Sequence, residues 1–534
     1  MPSEATTPAD VRQAYIVGGG IAGLAAAVLL VRDGGVPGRS IHVLEQSERL
    51  GGSLDGEGDP DSGYVIRGGR MFEPHFGCTF DLFSTIPSLS DPQTSVSEEI
   101  RAFSRKVVTS SKSRLVIDQK RIEAPRLGLS LRDKWDLGRL GLRPEISIGT
   151  QTIEEYFSRG FFATNFWCMW CTMFAFQPWH SLIEFRRYMR RFMHLMPGFN
   201  RLEGICRTPF NQYDSLILPL IRWLEHNGVN LRTDVSVTDI DFDANANTPT
   251  AITGITTRNG AGTKRIAVGE EDIVLVTLGS MTEDSSLGTM ETPARLQTDP
   301  ERGAWSLWRN IARHSPQFGQ PDVFCGQVPR SGWESFTVTL HDAVFHEWME
   351  EFTGNPAGTG GLVTFKESGW LMSIVLAYQP HFMNQPGDVW IFWGYGLHPE
   401  RDGDLVGKPM SDCSGREILA ELLHHLPIER EKDRILAAAN CIPCVMPFIT
   451  SQFMPRGPKD RPAVVPGNAR NFAFLGQYCE VPRDTVFTVE YSVRTAQMAV
   501  YALLGLKRKA TPLYRGYLRP GVMFRALRAL ASTN

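Results

Sequence analysis

Gly18, Gly20 and Gly23 stand in the spacing GxGxxG, and glycines so placed could hold the pyrophosphate of a dinucleotide. Gly18 permits a tight turn, Gly20 lets the backbone reach the phosphates, and Gly23 lets a helix pack closely on a strand. Ile21 and Ala22 open that helix, whose free N–H groups face the phosphate oxygens. Glu45, about 20 residues past the last glycine, is placed to accept ribose hydroxyls. A glycine-rich turn without a ligand is the plainer alternative; the acid at this distance weighs against it. Cys168/Cys171 and Cys441/Cys444 have the CxxC spacing of zinc and redox sites, but no ligand-like histidine stands near either pair. Buried thiols are expected there, and no metal.

The elements that must position these residues are legible around them. Residues 13–17 form a short apolar strand, 24–32 have helical composition, and 40–45 form a second strand ending in the acid, which makes a βαβ unit. Residues 46–53 (QSERLGGS) continue with the acid, arginine and paired glycines found in many FAD-binding oxidases and desaturases, so Gln46, Gly51, Gly52 and Ser53 are assigned to an FAD site. Residues 230–241 read as strands with a turn and bring Val237. Residues 272–279 (DIVLVTLG) are an apolar strand ending in glycine and bring Thr277, Gly279 and Ser280. Residues 471–477 repeat the pattern with Gly476 and Gln477. A helix over 491–505 follows, with Thr488, Val489 and Ser492 at the end that can face a flavin. Gly68, Gly69, Arg70 and Met71 complete the cofactor assignment. The expected fold is α/β: a discontinuous Rossmann-type FAD-binding domain of the glutathione-reductase/amine-oxidase kind, an inserted α+β substrate domain, and a helical C-terminal segment. The expected division gives 1–85, 206–300 and 441–505 to the FAD domain, 86–205 and 301–440 to the substrate region, and 506–534 to a basic tail.

A chain of 534 residues exceeds one core. Its formal charge of −3 argues against nucleic acid as the main partner, since phosphate binding needs a basic surplus. Residues 1–13 lack the basic start and apolar core of a signal peptide, and the apolar stretch 161–176 is too short and too interrupted to span a bilayer. A cytoplasmic protein with reduced cysteines is expected, and a monomer, since little chain precedes the fingerprint.

Longer blocks go further. Residues 51–56 (GGSLDG), 64–83 (YVIRGGRMFEPHFGCTFDLF), 86–89 (IPSL), 176–181 (FQPWHS), 210–215 (FNQYDS), 279–282 (GSMT) and 446–453 (MPFITSQF) resemble, in order, the oleate hydratase family, once called myosin-cross-reactive antigens. The resemblance implies addition of water across the cis double bond of a long-chain unsaturated fatty acid, such as oleic acid to 10-hydroxystearic acid. FAD would then shape and tune the site without transferring electrons. The family's proton-donor tyrosine falls on Tyr188, and its polar residue near substrate and water on Asn211. Thr450, Ser451 and Gln452 match the segment that holds the carboxylate, and Gln177 and His180 lie in a substrate block. The plainer alternatives are an aromatic packed on a basic helix for Tyr188, a helix cap for Asn211, and strand-end polar residues for the 450–452 segment.

One position departs from the family. Many members carry glutamate directly after the RGGR-like segment to activate water, but here Met71 follows Arg70 and the nearest acid is Glu73. Either backbone and Asn211 orient the water, or Glu73 substitutes. Rival readings are a flavin oxidoreductase or isomerase on an apolar substrate, and a non-catalytic lipid-binding protein. At the end of the chain Met523, Leu527 and Leu530 recur at helical spacing opposite Arg525 and Arg528, a basic amphipathic pattern suited to an anionic bilayer or to docking on the protein itself.

Overall fold

The computed structural model describes residues 13–69, 71–123, 125–243, 249–299 and 302–532. A five-stranded sheet is parallel throughout, in the order Phe472–Leu475, Ile273–Thr277, Ala14–Val17, Ile41–Leu44, Asn230–Arg232. Its strands come from three distant parts of the chain, so the dinucleotide-type domain is discontinuous. The helix Ile21–Arg32 follows the first strand and is buried from Ile21 to Leu30. That apolar run packs against the sheet on one side and against helix Val489–Leu503 on another, which explains its lack of an amphipathic stripe.

An eight-stranded mixed sheet makes the second layer, with Trp333–Leu340 between Ala439–Met446 and Trp390–Gly396 near its middle. Every residue of Trp333–Leu340 is buried. Helices Asn165–Phe174 and Leu182–Arg191 add an aromatic cluster to the main core, and Asn165–Phe174 packs on strand Leu362–Phe365 of this sheet.

The elements of the two sheets fall across the expected division of the chain. Strand Ala439–Met446 runs across the 440/441 boundary and belongs to the larger sheet. Strands Ser113–Ile117 and Lys120–Glu123, within residues 86–205, extend that same sheet. Ser286–Leu287 pairs with it too, while helix Gly303–Ala312 packs on strand Ser236–Phe242 beside the parallel sheet. Strands buried on both faces carry no alternation that would separate one sheet's residues from another's.

Residues 168, 171, 441 and 444 are buried free cysteines. Burial pushes the Cys168 thiol up to about 11 and the Cys444 thiol up to about 12, as inert structural thiols require. Among the described residues no helix is long and apolar enough to cross a membrane.

Candidate active site

Gly18, with φ of +98°, makes the turn after the first strand, a conformation that side chains rarely adopt. A Cβ on Gly23 would drive into the Gly18 carbonyl oxygen, so this glycine closes the helix onto the turn. A Cβ on Gly20 would meet nothing nearer than 3.9 Å. Gly20 therefore keeps a cradle open, and Gly23 keeps the turn intact.

A large half-polar cleft opens over this turn. It is lined by Gly18, Gly20, Ile21 and Ala22, by Glu45 and Gln46, and by Gly52 and Ser53. Val237, Thr277, Gly279 and Ser280 face it from the middle strands, and Gly476, Gln477 and Ser492 from the last strand and helix. Glu45 Oε2 accepts from the Gly19 N–H at 2.7 Å, and Oε1 accepts from the Ser47 N–H and hydroxyl. These bonds fix the carboxylate at the rim with one lone pair on Oε2 to spare. Gly51 lies behind the loop, its φ of +127° allowing the chain to bend into the cleft. Gly68 is not a lining residue, and Arg70 lies outside the described residues.

Sequence reasoning missed three charged groups here. Arg49 and Arg67 both line the cleft, and Nη1 of Arg67 is buried without a hydrogen-bond partner. Thr277 Oγ1 is buried and unpartnered as well. Unmet donors at a glycine cradle suit an anionic ligand that brings its own acceptors. Glu283 is the third: burial pushes its carboxyl up to about 7 although the Gln46 amide and the Ala304 N–H both donate to it. The arginines flank the glycine pairs of two noticed motifs and could have been found there.

A second cavity adjoins the cleft around the start of helix Val489–Leu503. Thr488 and Val489 line the cavity and Ser492 lines the cleft. Gly69, Met71, Phe76, Phe174, Phe192 and Phe487 make its apolar wall. Tyr188 is the tyrosine in that wall, 2% exposed, its hydroxyl donating to the Val486 carbonyl at 2.5 Å. Edge-on rings of Phe174 and Phe176, each 5.0 Å away, hold the phenol in place.

Glu73 lines the same cavity, but its carboxylate is committed elsewhere. It pairs with Arg191 at 2.5 Å, accepts from His75 at 2.9 Å and lies 3.3 Å from His194 Nε2. Burial opposes its ionisation; the His194 and Arg191 partners outweigh burial and hold it down at about 2. A carboxylate with that value is a weak base at neutral pH. Glu73→Gln is therefore expected to act through stability, costing about 3 kcal/mol by leaving Arg191 buried beside a neutral partner. The carboxylate's contribution is complete above about pH 4.5, its unfolded value, and is lost as pH falls toward about 2. Thermal unfolding of both proteins from pH 7 downward checks this: their melting temperatures should converge in acid.

Asn211 does not face the cavity wall. Its Oδ1 accepts from the Tyr213 and Asp214 N–H groups, and its Nδ2 donates to Asp214 and to the His381 carbonyl. The amide caps the helix that follows and is fully used, as the plainer alternative has it. The hydroxyl of Thr450 donates to the Ser331 carbonyl, Ser451 bonds to Tyr478 at 2.5 Å, and the Gln452 amide donates to Ile449. Gln177 donates to the Leu397 carbonyl, and His180 Nδ1 accepts from the Gln177 N–H. Burial holds His180 down at about 3, so it is neutral. These five residues stitch loops together, and none lines the cleft or the second cavity.

A third cavity shares Gly69 with the second and is lined by Arg207, Gln212, Tyr378 and His381. Burial alone pushes Arg207 down to about 10, with no carboxylate beside it, and its Nε is buried without a partner.

The MCRA family's sequence profile matches residues 11–501. The oleate hydratase of Streptococcus pyogenes serotype M49 (strain NZ131) is 41% identical over 510 residues, covering 93% of this chain and 86% of that protein. The linoleate hydratase of Lactiplantibacillus plantarum is 32% identical over 536 residues, covering 92% and 94%. Among solved structures, a putrescine oxidase bound to putrescine superposes with a TM-score of 0.50 at 13% identity, covering 92% of this chain and 99% of that one. That likeness concerns the fold.

Proposed function

The chain belongs to the MCRA family, and on that premise we propose that it hydrates long-chain unsaturated fatty acids, oleic acid to 10-hydroxystearic acid among them, with FAD in the glycine cleft. The observation that carries the reading is the apolar cavity, with the Tyr188 hydroxyl in its wall, adjoining a dinucleotide cradle at one helix start. FAD fits the residues present: an open Gly20, a rim carboxylate at Glu45 and unmet donors at Arg67 and Thr277. When bound, it supplies shape and a fixed field beside the alkene and no net electron transfer.

The chain's own groups do the rest. The Tyr188 hydroxyl turns from the Val486 carbonyl and gives its proton to one alkene carbon while the aromatic wall keeps other water away. Water bonds to the second carbon as positive charge develops there, and the proton it sheds restores the tyrosine. With Met71 at the family's acidic position and Glu73 bound to Arg191, water is oriented by the backbone of Gly69 and Met71, which line the cavity. Arg207, which lines the third cavity, is the carboxylate anchor, because its buried Nε is unmet whereas the Thr450, Ser451 and Gln452 side chains donate inside the fold. Arg207→Met is expected to raise KM for oleate about tenfold or more with a smaller change in kcat, as loss of a ground-state contact does. An unchanged KM would remove the anchor from Arg207.

The nine free cysteines suit a reducing cytoplasm. The tail helix Pro520–Ser532 docks on segment Met193–Arg201 through Val522 and Ala526, yet leaves Met523, Phe524 and Leu527 exposed. That remaining face, with Arg525 and Arg528 beside it, is suited to an anionic bilayer from which the substrate partitions. Mass spectrometry of products after incubation with oleic acid tests the function. Gain of one water supports hydration; loss of two hydrogens, or an unshifted mass at a moved double bond, favours the oxidoreductase or isomerase reading.

A further inference from the structure

Gln477 lines the cleft, and Phe487, Thr488 and Val489 line the apolar cavity beside it. One amide side chain joins the two. Gln477 Oε1 accepts from the Phe487 N–H at 2.5 Å, and Nε2 donates to the Thr488 carbonyl at 2.9 Å and to the Ser492 hydroxyl at 2.8 Å. An N–H needs an acceptor and a carbonyl needs a donor, so these partners settle which end of the amide is which. Thr488 caps helix Val489–Leu503 and Ser492 lies in its first turn, so two of the three bonds brace Gln477 against a fixed element.

The Phe487 N–H and the Val486 carbonyl belong to one planar peptide group. On its carbonyl side that group accepts from the Tyr188 hydroxyl at 2.5 Å. Gln477 and Tyr188 therefore grip opposite edges of the same plane. Hydrogen bonds in series polarise one another, so the bond at the N–H strengthens the carbonyl as an acceptor for the phenol. The plane is held against a backbone preference. Phe487 has φ of +64°, a left-handed conformation that large side chains rarely adopt. Rotation of the 486–487 peptide would return that φ to negative values and carry the Val486 carbonyl away from Tyr188. Neither Val486 nor Phe487 lies in a helix or strand, so side-chain bonds do the holding.

We propose that Gln477 is a positioning residue for the proton transfer. Through the 486–487 peptide it sets where the Tyr188 oxygen sits and keeps the phenol protonated between turnovers. A carbonyl facing the phenol favours O–H over phenolate, so the proton shed by water returns to Tyr188. The inference rests on the reading of Tyr188 as the proton donor.

Gln477→Met keeps the length of the side chain and removes all three hydrogen bonds. It is expected to lower kcat about tenfold or more, with KM for oleate and flavin per protein within about twofold of wild type. Its crystal structure should show the 486–487 peptide rotated and the Val486 carbonyl out of reach of Tyr188. Phe487→Gly supplies a rescue, because glycine adopts positive φ without steric cost and removes the drive to rotate. In that background Gln477→Met should cost about twofold or less in kcat, a coupling that a simple packing defect would not produce. Gln477→Asn, whose amide is too short to reach the peptide, replaces Gln477→Met if that variant fails to fold. An unrotated peptide with the Tyr188 bond intact would overturn the proposal. So would equal penalties with and without Phe487→Gly, or a loss of turnover that merely follows loss of flavin. Tyr188→Phe keeps the two readings apart. Normal turnover in that variant removes the donor itself; normal turnover in Gln477→Met beside an inactive Tyr188→Phe removes only the positioning role.

Discussion

Gly20→Val is expected to yield folded protein stripped of flavin, whereas Gly23→Ala should fail to fold stably. Both glycines belong to one motif, yet the structure gives them different tasks. A Cβ on Gly20 would meet Gly52 Cα at 3.9 Å, an ordinary van der Waals contact, so the methyl groups of valine are expected to occupy the ligand's place. At Gly23 the methyl group meets the Gly18 carbonyl, which belongs to backbone held in a tight turn and cannot move aside. The expected cost is on the order of 3 kcal/mol or more, in the range of severe overpacking. Visible absorption reports flavin per protein, and calorimetry reports the fold. Stoichiometric flavin on Gly20→Val would contradict the cradle.

Tyr188→Phe is expected to keep the fold and the flavin and to lose about a hundredfold or more in kcat, since roughly 3 kcal/mol is typical for one well-placed catalytic hydrogen bond. Only the hydroxyl is removed; the ring contacts with Phe174 and Phe176 persist. The Val486 carbonyl loses its donor, which should cost about 1 kcal/mol of stability and is separable from the kinetic effect by melting the variant. Near-normal turnover would move the donor elsewhere. Comparison with Glu73→Gln sharpens the point. That change should lower the melting temperature more than Tyr188→Phe does and lower kcat less, because Glu73 holds Arg191, His75 and His194 in place.

The parts of this molecule that were legible in advance are those where one residue type alone can meet a backbone demand. The positive φ at Gly18 and Gly51 and the collision at Gly23 leave a trace in the sequence because only glycine serves there. Strand ends Thr277, Gly279, Gly476 and Gln477 were readable for a related reason: short apolar runs stop where the sheet meets the cleft. Side-chain roles were less legible. Asn211 has the same identity whether it faces water or caps a helix, and only the positions of Tyr213, Asp214 and His381 decide between the two. Glu73 likewise looked free beside Met71, because Arg191 and His194 lie more than a hundred residues away. Arg207 escaped notice since an unpaired guanidinium differs from a paired one only by its surroundings.

Hydration and oxidation differ in where the new oxygen originates and in what happens to the flavin. The most direct measurement is therefore turnover of oleic acid in water enriched in oxygen-18, with FAD added and the flavin spectrum followed throughout. The account predicts a hydroxy fatty acid carrying one labelled oxygen from solvent, formed over many turnovers with no net change in flavin oxidation state and no consumption of dioxygen. A product whose oxygen is unlabelled, or one formed in proportion to flavin reduced or dioxygen consumed, would contradict it.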